Sequence, residues 1–190
     1  MKNIFTLSDH NNLKKQAATI IGSPNITPIL IPGTSLRIDP LEIMKDIVMF
    51  LDYDFKKAGI QKINISSIPQ SNVLGLAKYQ PKSENGVVVD KEKDTIYVDV
   101  RKIFDNYVKR PLSPIIQTDV ARSKDPDFIK SFYLKILGEL RKQLAFVTRH
   151  ELEHKIRTIQ NISQNKNVSD NPEYSADAAG KQFADKYIQR

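Results

Sequence analysis

Apolar residues recur at three- and four-residue steps in three stretches of this chain, and at two-residue steps in the region between the first and the second. From Pro40 onward, Leu41, Met44, Ile47, Val48, Leu51 and Phe55 form one stripe, with Lys45, Asp46, Asp52 and Lys56 opposite. That pattern predicts an amphipathic helix over roughly 40–58, capped by Asp39, started by Pro40 and stopped by Gly59. Asp125-Pro126 opens the longest pattern, running to about Ile159, with Phe128, Phe132, Ile136, Leu137, Leu140, Leu144 and Val147 on its buried side. The third begins with Asn171 as cap and Pro172 as first residue and runs to about Gln189, turning Ala176, Ala179, Phe183 and Tyr187 inward.

Alternation over residues 60–100 predicts a small antiparallel sheet. Lys62 to Ser67 is a first strand and Val73 to Tyr79 a second, interrupted by Gly75. Gly86–Val89 and Thr95–Val100 flank the polar run Asp90-Lys91-Glu92-Lys93-Asp94, as the two arms of a hairpin do. In the last strand Ile96, Val98 and Val100 share one face and Tyr97 and Asp99 the other. Arg101 to Arg110 reads as a short helical segment ended by Pro111 and Pro114, with a surface loop over 111–125. Ahead of all this, Asp9 to Ile21 can form a short helix bearing Leu13, Ala17 and Ile20. Gly22, Pro24, Pro28, Pro32 and Gly33 then break up an apolar stretch. The organisation expected is a single α+β domain over 40–190 behind an N-terminal extension, 1–39. That extension could pack on the body, cover a site as a pro-segment would, or bind a partner, and the sequence leaves the three open.

Composition narrows the function classes. At 190 residues, with 40% hydrophobic and 27% charged, the chain suits one globular domain. No apolar run reaches the roughly 18 residues of a membrane span, and the N-terminus has no apolar core of a signal peptide. A cytoplasmic protein with no membrane partner is the expectation. The absence of cysteine excludes disulfides, a zinc ribbon and a thiol nucleophile, and leaves His, Asp and Glu as the metal-binding side chains. The formal net charge is +7, but the basic residues are scattered, without a block of five or six. Weak, non-specific attraction to nucleic acid is the most that this charge predicts.

The chemistry concentrates in His150-Glu151-Leu152-Glu153-His154, which holds two of the chain's three histidines. On a helix, residues four apart share a face, so both imidazoles can reach one ion, and Glu151 projects beside them. The bland reading is an exposed helix face laced by Glu151–Lys155 and Glu153–Arg157 pairs. Against it, the apolar stripe that ends at Val147 continues into His150, Glu151 and His154, and buried ionisable groups are costly unless something neutralises or coordinates them. A catalytic zinc takes three protein ligands. Glu173, in the first turn of the last helix, is the better third candidate, and His10, far from any rigid element, the poorer. One turn on, Asp177 can accept the free ring N–H of a ligand histidine.

With these residues in view, the segment from HELEH to Glu173-Tyr174-Ser175-Ala176-Asp177 resembles the gluzincin class of zinc metallopeptidases. There the third ligand is a helical glutamate in an E-x-x-x-D setting. The order of helix, small sheet, active-site helix and glutamate helix is similar to that of the single-domain minigluzincins. The resemblance spans roughly residues 40–190 and is most specific in the last 45. It implies a zincin-like domain in which His150, His154 and Glu173 hold one Zn2+ per chain. Glu151 would be general base and proton shuttle, Asp177 the residue orienting a ligand, and a protein or peptide the substrate. It also implies that the strand Thr95 to Val100, with Tyr97 and Asp99, forms the substrate rim of the cleft. The family's oxyanion-stabilising residue has no counterpart at a matching spacing; Tyr97, Tyr174 and Tyr187 are the candidates. A catalytically silent protein of this fold, binding protein or nucleic acid through its basic surface, is the alternative.

Overall fold

The computed structural model describes residues 7–21, 27–65, 68, 74–78, 82–84, 87–89, 95–115, 119–120, 123–164 and 172–189. Helix α1 spans Leu7–Ile20, and two short strands, β1 (Ile29–Leu30) and β2 (Arg37–Ile38), pair antiparallel after it. Ala17, Ile21, Ile29, Ile31 and Ile38 all enter the same hydrophobic core as the rest of the chain.

The stripe that starts at Pro40 forms two helices rather than one. In α2 (Pro40–Phe50) the Asp39 side chain accepts from the Leu41 N–H at 2.9 Å, which satisfies one of the orphan donors of the first turn. At Leu51 the backbone leaves helical geometry (φ −99°, ψ 7°), and α3 (Asp52–Lys57) restarts behind it. The break costs no burial, because Leu51 and Phe55 both remain in the core. Gly59, at φ +65°, ends the run in the left-handed region that glycine enters freely.

The sheet differs from expectation in topology. Strands β3 (Lys62–Ile65), β4 (Gly75–Lys78) and β7 (Thr95–Val98) form one three-stranded sheet in the order β3-β7-β4. β3 and β7 are parallel, β4 and β7 antiparallel, so the sheet is mixed. The described part of the expected first hairpin arm, β6 (Val87–Val89), pairs with β5 (Lys82–Glu84) and not with β7. The expected turn at 90–94 lies outside the described residues. Burial explains the outcome. Thr95, Ile96 and Val98 are all buried, as befits a strand covered on both faces, whereas an alternating pattern marks a half-solvated one.

After β7, Asp99 caps α4 (Val100–Ile103), which runs through a π-helical turn at Phe104–Lys109 into α5 (Arg110–Ile115). The two prolines expected to end this segment are absorbed. Pro111 falls where the hydrogen-bond register changes, so its missing N–H costs little there.

The spine of the molecule is α6, 39 residues from Pro126 to Gln164 and longer than its stripe predicted. It packs against α2, α3, α4, β4 and β7, and also against α7 (Pro172–Ile188). The expected Asn171 cap lies outside the described residues. Described helices include none long and apolar enough to cross a membrane.

Candidate metal centre

Two faces of α6 diverge in the turn that carries the histidines. Leu144, Val147, Thr148, Glu151, Leu152, Lys155 and Ile156 are buried toward the body of the protein. His150 and His154 lie to one side of that face, with side chains 15% and 10% exposed, and are turned to α7. Burial of Glu151 and Lys155 disposes of the exposed-face reading for that pair. Glu153 does make i,i+4 ion pairs, with Arg149 at 2.8 Å and Arg157 at 3.1 Å.

The first two turns of α7 face the histidines. His150 Nε2 and His154 Nε2 are 3.0 Å apart, and the Glu173 carboxylate stands 3.4 Å from the first and 3.5 Å from the second. Three donors from two helices therefore converge on one point. The spacing is that of a coordination shell. Tetrahedral ligands about 2.0–2.1 Å from an ion lie about 3.3 Å from one another. Asp177 Oδ1 lies 3.0 Å from His150 Nδ1, close enough to orient the ring although the contact does not meet hydrogen-bond geometry. Burial pushes the pKa of His154 below the ordinary histidine value, against the upward pull of Glu173. The neutral imidazole that a metal requires is thus the favoured form. The Glu173 and Asp177 side chains are 66% and 63% exposed, so the centre opens to solvent on the α7 side.

Close approach of the two helices is built into α7. Ala176, Gly180 and Ala184 are buried one turn apart, and a Cβ at Gly180 would fall 2.9 Å from the Phe146 carbonyl oxygen. Alanines around Asp177 signal this closeness in the sequence, whereas nothing in the periodicity distinguishes Gly180. Gly75 does not interrupt its strand, as the alternation alone suggests it would. It is instead the first residue of β4 and lies directly against Glu151 and Val147. A glycine inside a strand pattern marks such an approach of backbone to a neighbour.

The remaining candidates lie elsewhere. Asp99, expected at the substrate rim, is 5% exposed and structural: its carboxylate accepts from Ile68 N–H at 2.8 Å and Lys102 N–H at 3.0 Å. Tyr97 sits half-buried on β7, which is the central strand, flanked on both edges, and so has no free edge to offer as a rim. Tyr187 is buried at the opposite end of α7 beneath Arg141, and burial raises its phenol pKa. Tyr174, 79% exposed, neighbours Glu173 in the chain. His10 belongs to α1, and its side chain lies outside the described residues. Comparison with protein-family models, with curated proteins and with solved structures finds no match to this chain.

Proposed function

We propose that the protein is a zinc-dependent endopeptidase. The observation that carries this reading is the convergence of His150, His154 and Glu173 at ligand spacing. Two imidazoles and a carboxylate form the donor set of a catalytic zinc, with a position left for water, rather than that of the oxygen-loving calcium or magnesium. Bound there, zinc would polarise a carbonyl and acidify water.

The rest falls to the chain's own groups. Glu151 follows the first ligand directly and is 9% exposed, a carboxylate held at the edge of the body by β4. It takes a proton from the attacking water and hands it to the departing amine. Asp177 keeps His150 oriented through the 3.0 Å contact at Nδ1. A peptide would lie along β4, not along β7. Among the described residues β4 pairs on one edge only, and it is the strand that packs beside Glu151.

Glu151→Gln tests the assignment. Peptide cleavage by the zinc-loaded protein is lost and zinc content is unchanged. Cleavage that survives the substitution overturns the role given to Glu151.

A further inference from the structure

Gly75 stands where β4 meets the turn of α6 that bears the base. A Cβ at this position would fall 2.7 Å from Glu151 Cγ, 2.7 Å from Val147 Cγ1 and 2.9 Å from Glu151 Oε1. Carbon atoms do not pack that closely, so any side chain at 75 must displace Glu151, Val147 or the strand. The backbone there does not itself call for glycine, since the positive-φ glycines among the described residues are Gly33 and Gly59. Space alone requires it.

The strand has little freedom to retreat. Gly75 pairs with Val98 on the central strand, and the Asp99 N–H donates to the Leu74 carbonyl at 2.8 Å. The buried Asp99 carboxylate ties Ile68 and Lys102 together, and Lys102 Nζ donates to the Ile68 carbonyl at 2.6 Å. Asp99 is therefore a clamp that fixes the start of β4 relative to β7 and α4. Val147 is 4% exposed and surrounded by core, so it too yields poorly. Of the trio, the long Glu151 side chain, 9% exposed, is the most flexible and the least enclosed, so it is the one that shifts.

We propose that Gly75 is a positioning residue for Glu151: bare backbone at this point, held by the Asp99 clamp, sets where the Glu151 carboxylate sits. The catalytic meaning of this placement rests on the peptidase reading; the packing claim does not. A glycine that merely permits tight packing would, when substituted, lose stability and activity together. A positioning glycine loses turnover without losing the metal.

The test compares the zinc-loaded full chain with Gly75→Ala, Val147→Ala and the double variant, by crystal structure, zinc content, thermal stability and peptide cleavage. In Gly75→Ala the Glu151 carboxylate moves by about 1 Å, and kcat falls about 10- to 100-fold with KM and zinc content unchanged. Val147→Ala keeps the wild-type kcat. The double variant, relieved on the Val147 side, regains stability over Gly75→Ala but not kcat, and it replaces the single variant should that one fail to fold. An unmoved Glu151 carboxylate overturns the proposal, as does a kcat that recovers in step with stability. If the wild type cleaves no peptide, the peptidase reading fails by itself, and the position of Glu151 in the variant structures still decides the packing claim.

Discussion

The α6–α7 pair is closed at one end and open at the other. At the closed end Tyr187 is 3% exposed; its ring lies 5.7 Å from Phe50 and 5.9 Å from Phe183, and the Arg141 guanidinium sits 5.1 Å above it. At the open end two exposed carboxylates, Glu173 and Asp177, face two largely covered imidazoles. Between them Gly180 lets α7 touch the backbone of α6. The difference separates two jobs that one helix pair must do. At the closed end Tyr187 ties α7 to α2 through Phe50 and to α6 through Arg141, so the open end is free to carry polar groups.

Breaking the closed end has the largest expected effect. Tyr187→Ala removes a fully buried aromatic from three neighbours and costs about 3–5 kcal/mol of stability, read by denaturant unfolding. Zinc binding to the fraction that stays folded is retained, because the donors lie at the other end. An intermediate effect is expected in the middle. Gly180→Ala forces a methyl against the Phe146 carbonyl and costs about 1–3 kcal/mol, with zinc affinity weakened as Glu173 is drawn from the histidines. Equal zinc affinity in this variant and in wild type would show that the helix spacing does not set the site. The smallest change is at the open end itself. Asp177→Ala leaves stability nearly untouched, since the carboxylate is exposed, but lowers zinc affinity about 10- to 100-fold by calorimetric titration.

How much of this was legible in the sequence follows the same divide. The α6–α7 half was readable because its signals are local: a 3.6-residue stripe, an i,i+4 histidine pair, and a proline opening the last helix. His150, His154, Glu173 and Asp177 meet as their spacing implied. The sheet was legible only as strands. β7 pairs on both edges with strands distant in sequence, β3 and β4, and no local pattern reports that; hence the misassigned hairpin and the interior position of the expected rim. Asp99 illustrates the limit. Alternation put it on the face opposite Val98, but its function follows from being the last residue before a helix, where a carboxylate caps free N–H groups. Gly75 shows a different one. A glycine in a strand announces a close neighbour, and only the packed structure reveals that the neighbour is Glu151.

Metal content tests the central claim most directly. Purified wild-type protein, loaded with zinc and dialysed, is measured beside His154→Ala and Glu173→Ala, each checked for its fold by circular dichroism. The account predicts about one zinc per wild-type chain, with content lost or sharply reduced in both variants, as removal of one of three ligands demands. A wild type that takes up no zinc, or folded variants that hold as much as the wild type, would contradict it.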